Sequence, residues 1–428
     1  MGNYNEGKKM YALAEELFPV CRSITGEGTR FTLRRIQQEI PQMTIHEVPS
    51  GLKVFDWKVP NEWQIEEAYI EDEQGQRIID FKRNNLHVVG YSIPVDQWLS
   101  LDELDKHIYS LPDYPEWVPY VTSYYKENWG FCMAHKQRCM LNDGKYHVVI
   151  KSKLFKGSLS YGELIIPGKT DEEIFLSTYV CHPSMANNEL SGPMVQMELA
   201  KWIIGCTERK YTYRMIWVPE TIGSITYLSK NLETMKKKVV AGYNLTCVGD
   251  ERCVSYLSSK YGHTLADKAA LNVLRFMAPD FISYNYLHRG SDERQYNAPG
   301  VDLPVCSVCC SKFHEYPEYH TSADNMSLIS PKGLQTAFDI YKEIIQSIEY
   351  NAKYKMNCLC EPQLGPRGLY PTECFNRSSI TVKDMMDFIA YADGTMDLFE
   401  ISDIIGVPVT RLHEIAKKLM AAELVSEV

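Results

Sequence analysis

The sequence predicts an α/β protein: a mostly parallel or mixed sheet with helices on both faces, an inserted β-rich domain and a winged-helix tail. Three observations predict it. From about residue 145, apolar strand-like runs alternate with amphipathic helical stretches, an order that builds a sheet covered on both sides. From about 42 to 140 the texture changes to short alternating runs broken by Pro, Gly and Asn and dense in aromatics. Beyond a Pro/Gly-rich linker, Glu361 to Pro371, three short helices and an apolar end read as a winged helix.

Taken in order, residues 5–40 read as two helices. Met10, Leu13, Ala14 and Leu17 recur at helical spacing, and Phe31, Leu33, Ile36 and Ile40 make a second stripe. In the inserted stretch, Thr44 to Val48, Leu52 to Trp57, Glu67 to Ile70 and Leu86 to Val89 are strand-like. Candidate strands of the main layer are 147–153, 160–166, 174–180, 213–218, 239–248 and 303–310; candidate helices are 191–204, 224–231, 264–276 and 331–348. The tail reads helix 382–391, helix 398–405 and helix 410–421. The expected domains are therefore 1–41 with 141–357 (catalytic), 42–140 (inserted) and 376–428 (winged helix).

Composition narrows the class. The 428 residues are 45% hydrophobic and 23% charged, with a net charge of −10, so the whole chain does not advertise itself to nucleic acid or anionic membrane. No apolar run reaches the roughly 18–20 residues that span a bilayer. The N-terminal stretch has no apolar secretion core, and Glu6 stands where N-myristoylation wants Ser or Thr. The 13 cysteines show no disulfide-framework spacing, which points to a reducing, cytoplasmic setting. Cys306, Cys309 and Cys310 with Cys358 and Cys360 are read as small buried hydrophobes, not as a zinc site. The tail's last helix mixes Arg411, Lys417 and Lys418 with Glu414. Nucleic acid is not expected as a partner, and the inserted domain or the tail is the expected route to any oligomer.

Chemistry concentrates at four strand ends. An apolar run stops at His182, and within eight residues follow Asn187, Asn188 and Glu189, before Ser191-Gly192 opens a helix. Glu220 follows the strand 213–218, Asp250-Glu251-Arg252 follows 239–248, and a His314-to-Asp324 segment carrying Tyr316, Tyr319 and His320 follows 303–310. In open α/β sheets ligands bind outside the carboxyl ends of strands, so all four should share one rim. Imidazole nitrogen and carboxylate oxygen together are a zinc-binding mixture. Each residue alone has a plainer reading: Glu220 as a helix-start acid, Asp250 as a solvated turn, either histidine as a hydrogen-bonded core residue. Ser191 is a helix start, with no strained Gly-x-Ser-x-Gly turn, and there is no phosphate loop or dinucleotide fingerprint.

The loop ending in Ser191-Gly192 resembles the Gly-Ala-Asn-Asp-Asn-x-Ser-Gly stretch of co-catalytic zinc aminopeptidases. The whole chain resembles the aminopeptidase-like proteins of bacterial surface-polysaccharide gene clusters. The segments that carry the likeness are Arg22-Ser-Ile-Thr-Gly-Glu-Gly, Cys181-His-Pro-Ser-Met-Ala-Asn, Pro219-Glu-Thr-Ile-Gly-Ser, Gly249-Asp-Glu-Arg, Arg289-Gly-Ser-Asp-Glu-Arg-Gln-Tyr and Tyr316-Pro-Glu-Tyr-His-Thr-Ser. The resemblance implies a zinc-exopeptidase-like fold, His182, Asp250 and His320 as metal ligands, and Glu220 as general base. Departures are specific. Ser184 stands where the peptidases place the Asp that orients the first His, Asn188 replaces the bridging Asp, and Thr221 replaces the second Glu of a pair. Glu189 stands in for the bridging acid by a one-residue shift.

Charge then favours one zinc over two, since Glu189 and Asp250 offset two positive charges, not four. The expected function is zinc-dependent hydrolysis of an amide or peptide bond, on a small peptide or amide-bearing substrate, within surface-polysaccharide metabolism. Glu220 is the base, His182, Glu189 (or Asn188 in its place), Asp250 and His320 surround the metal, and Asn188, Arg294 and Tyr319 contact substrate. Arg289 and Arg252 are weighed as further anion binders, and Tyr316 and Trp129 as pocket walls. The rival expectation is a catalytically retired scaffold that binds partners.

Overall fold

The computed structural model describes residues 5–369 and 382–428. The first four residues, with the start of the motif weighed for acylation, lie outside the described residues, as do the end of the expected linker and the start of the expected tail domain. The chain divides into two compact units, Met1–Thr264 with Ile282–Phe338, and Leu265–Phe281 with Asp339–Val428.

The first unit opens with helices α1 (Asn5–Leu17) and α2 (Glu27–Glu39), then β1 (Thr44–Pro49). An inserted sheet follows, of β2 (Glu62–Glu71), β3 (Arg77–Asp80), β4 (Val95–Ser100) and β5 (Lys145–Phe155), in the order β3-β2-β5-β4. The chain returns through β6 (Ser158–Ile166), β7 (Glu173–Tyr179), α3 (Ser191–Gly205), β8 (Thr212–Val218), α4 (Ile222–Lys238), β9 (Val239–Asn244) and β10 (Ser255–Leu257). The main sheet runs β1-β6-β8-β7-β9-β12-β10-β11, with β11 at Ile282–Tyr284 and β12 at Val305–Cys309. Its four central strands, β8, β7, β9 and β12, are parallel. Every residue of β7 is buried, as expected for a parallel strand covered on both faces. Along β8 the two faces separate: Trp217 donates its indole N–H to Pro193 O of α3 at 3.4 Å, while Ile216 and Val218 join the apolar cluster of Ile222 and Ile225 from α4.

The main layer is the expected mixed sheet with helices on both faces, but its edges differ from the sequence reading. Thr44–Pro49 pairs with β6 and so belongs to the main sheet, while 145–155 pairs with β2 and β4 in the inserted sheet. Apolar alternation alone does not say which sheet a strand joins; hydrogen-bond partners decide it. The inserted sheet has its own core, including Ala68, Ile70, Leu104, Phe131, Val148 and Ile150.

The second unit holds α5 (Leu265–Met277), the end of α6 (Pro331–Tyr350), β13 (Lys353–Met356), α7 (Val382–Tyr391), β14 (Asp393–Asp397), α8 (Leu398–Ile405), α9 (Val409–Ala421) and β15 (Val425–Glu427). Its three strands pair as β14-β13-β15, so the winged helix begins at β13, well before residue 376. Helix α5, expected in the catalytic domain, is held here instead. Asn272 Nδ2 donates to Ser402 Oγ and Asp403 Oδ1, both at 2.9 Å, and Arg275 pairs with Asp403 at 2.7 Å. At the start of α9, Thr410 donates to Glu343 and Arg411 pairs with Asp384, each at 2.7 Å. No helix among the described residues is long and apolar enough to cross a membrane.

Candidate active site

The carboxyl ends of β7, β8 and β12 deliver the site. After β7 the chain turns out at Cys181-His182, passes Ser184 at φ 46°, and re-enters through one wide helical turn, Ala186–Leu190, that runs into α3. Such wide turns concentrate at functional sites. Gly192 lets that helix start against the sheet: a Cβ there would lie 2.4 Å from both Leu245 O and Thr178 Oγ1. Asp324 seats the turn, accepting from the N–H groups of Ala186 (3.1 Å), Asn187 (2.6 Å) and Asn188 (2.9 Å) and from the Tyr316 hydroxyl (3.0 Å). Burial pushes the Asp324 carboxyl up to about 6, against those donors.

Glu189 returns from the wide turn to the strand end. It accepts from Cys181 N at 2.8 Å, from His182 N at 2.9 Å and from His182 Nδ1 at 2.9 Å. Burial disfavours a charge on the His182 ring, yet the hydrogen bond to Glu189 helps hold the imidazole well above the ordinary histidine range. Burial also pushes the Cys181 thiol up to about 11 and the Tyr120 hydroxyl higher, so both are neutral at physiological pH. Two carboxyl groups face the ring, Glu189 at Nδ1 and Glu220 near Nε2. Cys181, His182 and Glu189 are buried, with candidate ligand atoms within 4.8 Å of one another.

The other ring nitrogen of His182 faces Glu220, Nε2 to Oε2 at 3.4 Å. Glu220 stands between β8 and α4 on a turn whose next residue, Thr221, has φ 65°, a strained value for a β-branched side chain. Asp292 braces that turn, accepting from Thr221 N at 2.7 Å and Ser224 Oγ at 2.8 Å, while its Oδ2 is buried without a partner among the described residues. Burial and the nearby Glu220 push Asp292 up to about 7. Arg294 Nη2 donates to Thr221 Oγ1 at 2.7 Å from an exposed position.

His320 closes the group. Its ring centroid is 5.3 Å from that of His182, and Tyr319 stacks on it at 3.9 Å. Its Nε2 is buried with no partner among the described residues. Burial, His182 and His314 hold it well below the ordinary range, so the ring is neutral with a lone pair to offer. Tyr120, from the inserted domain, lies edge-on to both histidines, with centroids 5.3 Å from His182 and 5.2 Å from His320. Its backbone N–H donates to His320 O at 2.9 Å.

The remaining expected residues are engaged elsewhere. Asp250 accepts from Asn187 Nδ2 (2.9 Å), Ser311 N (3.0 Å), Ser311 Oγ (2.9 Å) and Arg252 N (3.0 Å), which uses its oxygens to hold loops together. Asn188 is fully buried and accepts from the Tyr179 hydroxyl at 2.7 Å; that hydroxyl also meets Thr246. Arg252 pairs with Glu318 through both terminal nitrogens (2.9 and 2.6 Å), not with Glu251, and Arg289 lies over Tyr286. Trp129 stacks on His107 inside the inserted domain at 3.7 Å. Tyr120, Asp292 and Asp324 went unassigned in the sequence because each acts across a long separation. Only the Ser-Asp-Glu run around Asp292, flanked by Arg289 and Arg294, carried a local hint.

His182 and His320 have the chemistry to hold a cation. Two imidazoles on one tetrahedral ion, with Zn–N of ~2.0–2.1 Å, put ring centres roughly 5 Å apart, close to the spacing of His182 and His320. The orphaned His320 Nε2 is the kind of buried atom that a ligand satisfies. Glu189 on the far nitrogen of His182 matches the carboxylate–histidine–metal arrangement.

Residues 11–351 match a family described as a domain of unknown function, DUF4910, and residues 352–427 match a winged helix-turn-helix family. A Clostridium acetobutylicum protein, provisionally named a polysaccharide biosynthesis protein with aminopeptidase-like domain, is 47% identical over 365 residues, 85% of this chain and 83% of that protein. A crystal structure from the same organism, provisionally named a peptidase, has 42% identity and a TM-score of 0.93 over 99% of this chain and 97% of that one. A zinc aminopeptidase from Bacillus subtilis shares 13% identity with a TM-score of 0.60 over 80% of this chain and 94% of its own, a likeness of fold alone.

Proposed function

The chain belongs to the DUF4910 family and joins an aminopeptidase-like domain to a winged helix, and from that premise we propose that it hydrolyses an amide or peptide bond with one zinc ion. The observation that carries this reading is the grouping around His182: Glu220 Oε2 lies 3.4 Å from its Nε2, the His320 ring is 5.3 Å away with Nε2 unpartnered among the described residues, and Glu189 accepts from its Nδ1.

His182 and His320 would hold the ion through their Nε2 atoms. When bound, zinc would supply a Lewis-acid pole for the scissile carbonyl and make water a stronger acid. Glu220, which keeps 18% of its side chain exposed, takes the proton from the attacking water and returns it to the departing amine. Water and the amide are consumed; a carboxylic acid and an amine leave. Glu189 keeps His182 turned with Nε2 inward. Asp292 and Arg294 hold the Glu220 turn, and Arg294, exposed beside it, is placed to meet the substrate. Tyr120 shields the histidines from bulk water. Glu189 and Asp250, expected as ligands, are assigned support roles because their oxygens are already committed to hydrogen bonds.

The relative's name places that relative in polysaccharide biosynthesis, and we assign this chain a small amide-bearing substrate of that metabolism. A cytoplasmic setting suits its cysteines, which are free thiols among the described residues. The test pairs metal analysis of protein purified without chelator with amide hydrolysis before and after Glu220→Gln. Zinc bound at one per chain and turnover lost in the variant supports the reading; unchanged turnover removes Glu220 as base. A second reading, a scaffold without turnover, is favoured by one observation: neutral Asn188 and Thr221 stand where an aminopeptidase site carries acids. Absence of bound zinc, and no thermal stabilisation on adding it, would decide for the scaffold.

A further inference from the structure

Arg22 belongs to the Arg22-Ser-Ile-Thr-Gly-Glu-Gly segment between α1 and α2, far in sequence from the loop it touches. Its side chain is wholly buried, as is that of Glu189. Nε donates to His182 O at 2.9 Å and lies 3.4 Å from Glu189 Oε1, while Nη1 donates to Leu17 O at 2.7 Å. Nη2 has no partner among the described residues. We propose that Arg22 is the positioning residue of the His182 imidazole, fixing both the Glu189 carboxylate and the His182 backbone so that Nδ1 stays on Glu189 and Nε2 is left facing the side of Glu220 and His320. This rests on the reading of His182 as a metal ligand.

Stability gives no reason for such a pair. A buried ion pair seldom outdoes an apolar pair of equal volume, and this one leaves a guanidinium nitrogen unsatisfied. Geometry gives a reason. The orienting carboxylate expected two residues after His182 is Ser184, whose hydroxyl meets Asn85 at 2.9 Å and Phe18 O at 3.4 Å, not the imidazole. Glu189 takes that place, and it arrives from the wide turn Ala186–Leu190. One carboxylate must therefore serve two backbone N–H groups and an imidazole at once. Arg22 supplies the counter-charge and ties Glu189 to the main chain of the residue it orients. A planar fork does this, and a lysine's point charge does not.

The experiment uses full-length protein, wild type and Arg22→Met, Arg22→Lys and Arg22→Met/Glu189→Gln. For each, the melting temperature without metal, the zinc affinity by chelator competition and the visible spectrum of bound cobalt(II) are measured. We expect roughly 10- to 100-fold weaker zinc binding in every variant, the range found for partners behind a ligand, with an altered cobalt spectrum. The double variant, free of an unpaired buried charge, should recover melting temperature but not affinity. Affinity within twofold of wild type in any folded variant, or recovery of affinity together with melting temperature in the double variant, overturns the role of Arg22. Wild-type protein that binds neither zinc nor cobalt overturns the metal reading itself, and that is seen before any variant is compared.

Discussion

Replacing Asp324 with Asn isolates the group that seats the wide turn. Asp324 is fully buried, and its carboxyl is pushed from 3.8 up to about 6 by burial. A raised folded value means that the native chain holds the proton more tightly than the unfolded chain. Its contribution is therefore fully present below about pH 4 and is lost as the pH rises through about 6. Above that the loss is constant. About two units at ~1.4 kcal/mol each makes the change about 3 kcal/mol across that window. Asp324→Asn keeps one acceptor for Ala186 and Asn187 but turns an amide toward Asn188 N and the Tyr316 hydroxyl. That orphaned buried donor costs ~1–3 kcal/mol at every pH. The variant should thus be less stable than wild type at pH 4 and nearly level with it at pH 7. The assay is urea unfolding at half-unit steps from pH 4 to 7.5, read as the difference between the two proteins. Parallel curves would refute the assignment, because a constant offset means that Asp324 titrates alike in both states.

Three further outcomes test the site. Glu220→Gln should keep zinc but lose amide turnover by roughly 10²- to 10⁴-fold, checked by metal analysis and kinetics on one preparation. His320→Ala removes a nitrogen with no partner among the described residues and the ring on which Tyr319 stacks, so the melting temperature without zinc should fall and the rise on adding zinc should disappear; scanning calorimetry reads both. Tyr120→Phe should leave zinc stabilisation intact, whereas Tyr120→Ala removes a half-buried ring beside two histidines and should cost about 1–3 kcal/mol by denaturant unfolding.

Much of the site was legible because its carriers are local. A strand that ends on His182 and a strand that ends before Glu220 announce themselves by apolar runs that stop at a polar residue, and the parallel order puts both on one rim. What was not legible is which atoms face inward. Asp250 and Glu189 have the right chemistry and the right address, yet their lone pairs are taken by Ser311, Arg252, Cys181 and His182, and spacing does not show who donates to whom. The domain edges failed for a related reason. Residues 145–155 alternate as well as any main-sheet strand, and only pairing with β2 and β4 assigns them to the insertion. Helix α5 has a good amphipathic pattern, but nothing in the pattern names Asp403 as the partner of Asn272.

The link between the insertion and the last histidine bears on folding order. Tyr120 N donates to His320 O, Ser322 N donates to Val118 O, and Val118 N donates to Ser322 Oγ across a separation of 204 residues. Contacts that far apart close late, since the loop entropy falls due before the contact is made. The pairings of the four central strands do not pass through these contacts, whereas the segment of His320 is tied to the insertion by them. Removing the insertion would leave a chain able to fold most of its core and still unable to complete its site.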